Sequence, residues 1–185
     1  ANTDNGFTGT LFFPFEGEES FASIKTAEQA EAFFKKNFPD AMPLIPNLTQ
    51  QYMDNPTSPL VIVRCSPWNY KNKVMLIGDA AHAIVPFYGE GMNCGFEDVK
   101  TFTDILEELG DADMGAVLHK YAASREINGN AIADLSLRNF VEMRDLVADP
   151  QFILRKKIEA SFYKKHPDKW VPLYSQVKFT DTPYI

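Results

Sequence analysis

Residues 73–96, KVMLIGDAAHAIVPFYGEGMNCGF, hold the side chains whose types and order can do chemistry. A continuous apolar run ends at Gly78, and Asp79 follows at once. In an open α/β sheet, ligands sit beyond the carboxyl ends of the strands. A carboxylate there can accept hydrogen bonds from ribose-like hydroxyls, and the small Ala80 and Ala81 let the backbone approach a ligand. After Pro86, Phe87 and Tyr88, two glycines, Gly89 and Gly91, flank Glu90 where a helix is expected to begin. Unpaired N–H groups and the partial positive charge at a helix start suit an electron-rich ligand atom. The dipole term is small, roughly 0.3–1 kcal/mol and about 2 kcal/mol when partly buried. Strand, acid, small turn, glycine pair and helix start together read as a cofactor cradle. For Asp79 alone, the plainer alternative is a strand-end carboxylate that caps the next turn.

These residues need elements to position them. The apolar run 73–78 predicts a strand buried on both faces, as in the interior of an α/β sheet. Residues 60–64, LVIVR, predict another strand, with a turn over 67–72 between the two. Periodicity predicts a helix over 91–109, with Met92, Phe96, Val99, Phe102, Leu106 and Leu109 on its apolar stripe. Asp98, Glu107 and Glu108 lie opposite, and Gly110 stops it. A second helix is expected from about 113 towards 145, with a break near Gly129, and a third from 152 to about 165 before Pro167. Residues 170–179 read as extended. Near the start, residues 10–15 predict an edge strand. Thr26 and Gln29 then have the spacing of a capping box, opening a helix with Ala27, Ala30, Phe34 and Phe38 on one stripe and ended by Pro39. Five prolines between 39 and 59 leave room for a short helical turn and loops.

Composition narrows the function classes. The chain of 185 residues is 45% hydrophobic and 23% charged, enough to bury a core. Its net charge of −7 and lack of a basic run argue against a nucleic-acid partner. Two cysteines, Cys65 and Cys94, cannot build a disulfide scaffold. His82, His119 and His166 lack metal-ligand spacing, so no metal site is expected. His82 reads as a packing or hydrogen-bonding residue, and Cys94 as a small core residue. No apolar run is long enough to span a bilayer. The start at Ala1 has neither an initiator Met nor a signal pattern, so a piece of a longer protein is expected.

GDAAHAIVPFYGEGMN resembles the second flavin motif of the FAD-dependent aromatic hydroxylases, the single-component flavoprotein monooxygenases. That resemblance implies an α/β fold: the C-terminal part of a Rossmann-type FAD-binding fold, part of a substrate-domain β-sheet and a C-terminal helical region. The implied division is 1–60 for the substrate-domain part, 61–110 for the FAD-binding part, and 111–185 for the helical region and tail. It implies FAD and NADPH as cofactors. Gly78 and Asp79 would hold the ribityl side of FAD. Pro86 and Phe87 would lie at the reactive edge of the ring. Gly89, Gly91, Met92 and Asn93 would face its N1–C2 carbonyl region. One departure is visible: the family usually has Gly-Gln-Gly where this chain has Gly89-Glu90-Gly91. A carboxylate beside a reducible flavin disfavours the reduced anion unless it points to solvent.

Four segments, TLFFPFEGE, PFYGEGMNCGFEDV, LRNFVEMRD and VPLYSQVKFT, are similar to the branch of this family that hydroxylates L-kynurenine with O2. That similarity implies oxygen transfer through a flavin C4a-hydroperoxide. Asn139 and Tyr174 would bind the amino-acid end of the substrate, with Glu142 and Met143 close by. Phe87 and the aromatics of 13–15 would wall the ring pocket. No G-x-G-x-x-G occurs, and Gly6-x-x-Gly9 and Gly89-x-Gly91-x-x-x-Gly95 have the wrong spacing or context. In the resembled family such a loop holds the ADP half of FAD, so the resemblance implies that the chain is the C-terminal portion of the enzyme, with the N-terminal portion as its partner. Arg155, Lys156, Lys157, Lys164 and Lys165 read as a solvated face, or as a membrane-surface contact. Eukaryotic members continue into a membrane anchor, which implies the cytosolic face of the mitochondrial outer membrane, reached through a segment outside this chain. Two alternatives stand beside this reading: a related flavin hydroxylase or reductase acting on another ring, and a fragment that serves only as partner of another chain.

Overall fold

The Thr26 hydroxyl accepts the Gln29 N–H at 3.3 Å, and Gln29 Oε1 accepts the Thr26 N–H at 3.1 Å. This reciprocal cap starts helix α1, Ala27–Asn37, where the spacing predicts it. In the computed structural model, which describes residues 2–3 and 6–185, the chain divides into two units, Ala1–Pro59 and Leu60–Ile185. The first unit packs α1 and α2, Leu48–Asp54, around Ile24, Ala30 and Phe33. A 3-10 turn, Met42–Leu44, lies between the two helices. Phe33, rather than the exposed Phe38, completes the inner stripe of α1. Residues 10–15 form no ladder among the described residues, contrary to the expected edge strand. Phe13 instead contributes an aromatic wedge, 5.3 Å from Phe21 and 4.8 Å from Phe33 between ring centroids.

The second unit is helical, with one small sheet. β1, Asn69–Tyr70, pairs antiparallel with β2, Val74–Met75, placing Asn69 opposite Met75. The expected interior strands are therefore mostly absent as ladders. Among the described residues no strand lies beside 60–64 or 76–78, and a strand needs neighbours to satisfy its N–H and C=O groups. Val63 donates instead to the Ala83 carbonyl at 2.9 Å, while Leu60 and Val61 remain exposed.

A single turn, α3, Asp79–His82, follows Gly78, whose φ of 61° suits glycine. Helix α4, Gly91–Leu109, then ends at Gly110 as predicted. Its inner face differs from the expected stripe: Cys94, Asp98 and Ile105 are buried, whereas Met92, Phe96 and Val99 are exposed. α5, Met114–Val141, is capped by the Asp113 carboxylate, which accepts the Ala116 N–H at 3.0 Å. It runs unbroken through Gly129. A Cβ there would lie 2.5 Å from the Trp68 ring, so glycine is required by the contact with Trp68, not by a break. A π-turn, Glu142–Leu146, extends α5. α6, Pro150–Lys165, begins at the Asp149 cap. Residues 170–179 are not extended throughout: α7, Leu173–Phe179, forms after Pro172 and buries Val177. Trp68, Ala81, Ile105, Val117, Tyr121 and Ala122 form one core of this unit. Tyr88, Cys94, Ile132 and Val177 form another, which ties α7 to α4 and α5.

Candidate functional site

The tip of the 73–78 segment and the start of α4 meet. A Cβ on Gly95 would lie 3.8 Å from the Gly78 Cα. The Gly78 N–H donates to Asp98 Oδ2 at 2.9 Å. Asp98 is fully buried and also accepts from His82 Nε2 at 2.5 Å and from Arg125 Nε at 2.7 Å. Arg125 reaches the Cys94 carbonyl at 3.3 Å and Glu97 at 2.9 Å. One carboxylate therefore joins the glycine turn, α3, α4 and α5. Burial opposes ionisation of Asp98, but His82, Arg125 and the Gly78 N–H outweigh it and hold its carboxyl below the usual range. Burial likewise opposes the imidazolium of His82, yet the Asp98 bond, with Cys94 close by, pushes its pKa up to about 10. His82 stacks on Trp68 with centroids 5.0 Å apart.

His82, Cys94 and Asp98 present ligand atoms within 4.8 Å of one another. Two of the three already bind the Arg125 guanidinium, which donates to Asp98 and lies 3.4 Å from the Cys94 sulfur. The cluster is a charge-balanced joint. Arg125 went unnoticed in the sequence, although it interrupts an apolar stripe of Leu118, Tyr121, Ala122, Gly129 and Ile132. A charge in such a stripe signals a buried partner. Asp98, assigned to the outer face by its type, is that partner.

Asp79 lies at the first position of α3, exposed, and its carboxylate has no partner among the described residues. The first N–H groups of α4, at Gly91, Met92 and Asn93, have no side-chain cap. Pro86 is exposed at the turn, where its carbonyl accepts the Gly89 N–H at 3.0 Å, and Gly89 has a φ of 69°. Asp79, directly after the Gly78 turn that meets α4 at Gly95, and the uncapped start of α4 offer an acceptor for hydroxyls and donors for electron-rich carbonyls, the two kinds of group that FAD carries. Glu90 does not point to solvent. It is 3% exposed, with Oε1 2.5 Å from Lys178 Nζ as an ion pair rather than an aligned hydrogen bond. Its Oε2 accepts from Asn93 Nδ2 at 2.9 Å.

The turn is joined to a second feature. Asn139 Nδ2 donates to the Phe87 carbonyl at 2.8 Å, and the Phe87 ring stacks on Phe140 at 4.5 Å. Asn139, Glu142, Met143 and Tyr174 line one open cavity of about 390 Å³ together with Tyr88 and Trp170. Phe87 is not among the lining residues; its neighbour Tyr88 is, stacked on Tyr174 at 5.6 Å. Glu142 is paired with Arg138 at 3.2 Å and with Lys156 at 3.4 Å. Lys156 and Arg155 thus face the cavity, whereas Lys157, Lys164 and Lys165 are exposed. No described helix is long and apolar enough to cross a membrane.

Residues 61–136, the stretch that holds the glycine turn and α4, match the protein family described as FAD binding domain. Over 99% of its length the chain is similar to proteins named kynurenine 3-monooxygenase, at 54% identity to that of Flavobacterium johnsoniae, 53% to that of Christiangramia forsetii and 44% to that of Dictyostelium discoideum. It spans 41%, 41% and 42% of those relatives, respectively.

Proposed function

We propose that this chain is the C-terminal portion of a flavoprotein aromatic monooxygenase that converts L-kynurenine to 3-hydroxykynurenine with FAD, NADPH and O2. The observation that carries the reading is the Asn139–Phe87 hydrogen bond. It places the cavity-lining end of α5 directly on the turn that leads to the uncapped start of α4. Cofactor cradle and substrate cavity then share one wall. On this reading the fold is the C-terminal part of a Rossmann-type FAD-binding domain with a helical cover, and the N-terminal portion of the same enzyme supplies the remaining strands and the ADP-binding loop.

Asp79 would hold the ribityl hydroxyls, with Gly78 shaping the turn that presents it. The N–H groups of Gly91, Met92 and Asn93 would face the N1–C2 carbonyl edge of the flavin, where preorganised donors stabilise negative charge without reorganisation. Bound FAD, reduced by NADPH, would supply the activated oxygen that the side chains themselves cannot. Pro86 and Phe87 would form the turn that borders the ring. Gly89 allows the turn its left-handed backbone. Asn139 and Tyr174 would fix the amino-acid end of the substrate, and Glu142 and Met143 close the same side. Apolar walls matter because activated oxygen is wasted when water enters. Polar anchors at one end select which ring carbon faces the flavin. Membrane attachment, including a mitochondrial outer-membrane address, would come from sequence outside these residues.

The test uses the intact protein. Purification should yield a yellow, flavin-bound protein whose NADPH oxidation rises with L-kynurenine and whose product is 3-hydroxykynurenine. A folded preparation without flavin overturns the reading. A flavin-bound preparation that ignores kynurenine but responds to another aromatic acid overturns the substrate assignment alone.

A further inference from the structure

Lys178 and Glu90 form a charge pair at the start of α4 that the flavin reading alone does not require. Glu90 is the residue before Gly91, whose uncapped N–H group, with those of Met92 and Asn93, faces electron-rich flavin atoms in the proposed site, and Glu90 Oε2 accepts from the Asn93 side chain at 2.9 Å. Left uncompensated there, its charge would oppose the negative charge that a flavin gains on reduction. Lys178 compensates it. Its ammonium lies 2.5 Å from Glu90 Oε1 and donates to the Tyr88 carbonyl at 3.1 Å. It also lies 3.8 Å from where a Cβ on Gly89 would stand. The Lys178 side chain is only 24% exposed and that of Glu90 4%, so solvent screens the pair poorly. α7 carries Lys178 one turn after Tyr174, whose ring stacks on Tyr88, and Val177 anchors the helix beside Cys94. Ammonium, aromatic stack and buried valine thus converge from one helix on the turn 88–91.

We infer that Lys178 is a positioning residue: it neutralises Glu90 and clamps the 88–91 turn, and thereby sets the redox potential of the flavin bound at the start of α4. The inference rests on the flavin reading given above. The glutamate, which departs from the family's glutamine, is tolerated because a lysine from a distant helix cancels its charge. The two positions act as one unit.

The test compares four intact proteins, the parent, Lys178→Gln, Glu90→Gln and the double variant, by midpoint potential of the bound flavin and by melting temperature. Lys178→Gln should lower the potential by at least the equivalent of a tenfold loss in relative affinity for the reduced flavin, about 30 mV for a two-electron couple. Glu90→Gln should raise it, because the lysine is then unopposed. The double variant should return close to the parent, and the melting temperatures should show the same non-additivity. Equal potentials in parent and Lys178→Gln, or a double variant displaced as far as Lys178→Gln, overturn the inference. Should Lys178→Gln fail to fold, Glu90→Gln decides: a raised potential supports the pair and an unchanged one overturns it. Flavin-free protein overturns the underlying reading and the inference with it, whereas flavin-bound proteins of equal potential overturn the inference alone.

Discussion

At the scale of single residues, Asp79 and Asp98 show how position decides what a carboxylate does. Asp79 is exposed without a partner among the described residues, so its removal should leave the fold alone: within about 0.5 kcal/mol, the usual range for such surface changes. A charged hydrogen bond to a ligand is worth roughly 1.5–3 kcal/mol. Asp79→Ala should therefore weaken FAD retention by about 10- to 100-fold, as flavin release on dilution would show, while the melting temperature of the flavin-free protein stays unchanged. Unchanged occupancy removes Asp79 from the cradle. Asp98 is the reverse case, a fully buried acid that holds His82 and Arg125. Because the folded state raises the pKa of His82 to about 10, its contribution to stability is complete below the unfolded value near 6.5. It is lost as pH rises through 10. Asp98, held low, contributes above its unfolded value near 4 and loses that contribution as pH falls. Melting temperature should accordingly decline between pH 7 and 10, and His82→Gln should flatten that limb. A parent protein with no alkaline decline contradicts the assignment.

At the scale of elements, Gly129 joins a helix to a loop. Its missing side chain lets α5 lie against Trp68, where a Cβ would come within 2.5 Å of the ring. Trp68 is 1% exposed and held by its own bond to the Cys65 carbonyl, so it cannot swing away. Overpacking of this kind costs roughly 1–3 kcal/mol. Gly129→Ala should lower the midpoint of chemical denaturation accordingly, despite alanine's higher helix propensity; a stabilised variant would show that the contact yields. This contact also marks a limit of sequence reading, since the glycine read as a helix break is a packing site. The helix starts at Thr26 and Asp113 and the stop at Gly110 were legible because caps are local chemistry, whereas α6 begins at the Asp149 cap, ahead of the start expected at 152. The turn around Gly78, Asp79, Gly89 and Gly91 was legible for the same reason. The buried side of α4 was not, because Asp98 looks polar until Arg125, 27 residues on, is placed against it. Nor was α7, since the chain around Pro172 gives no periodic signal and its packing depends on Tyr88 and Val177, far apart in sequence. Residues 60–64 have the composition of a strand, but a strand is defined by neighbours that composition does not specify.

At the scale of the whole molecule, the apolar residues that this chain leaves in water carry the strongest information. Met92, Phe96 and Val99 stand one turn apart along the outside of α4, 71%, 63% and 52% exposed. Sequence periodicity marks this face as a buried one, yet the inner face of α4 is the one carrying Cys94, Asp98 and Ile105. Both readings hold if α4 is covered on two sides in the intact protein, with the second cover coming from the N-terminal portion proposed above. Leu60 and Val61, also exposed, belong to the same expectation, as strand residues awaiting neighbours. Phe96→Glu separates the two settings. In this chain alone the side chain stays in water, so the substitution should change stability by no more than about 0.5 kcal/mol. In the intact protein it would force an unpaired carboxylate into an apolar interface, where desolvation makes the cost several kcal/mol. Melting both forms with and without the substitution measures the difference directly. Equal small effects in both would mean that the outer face of α4 stays wet in the whole protein, and that its hydrophobic stripe has some purpose other than joining the two portions.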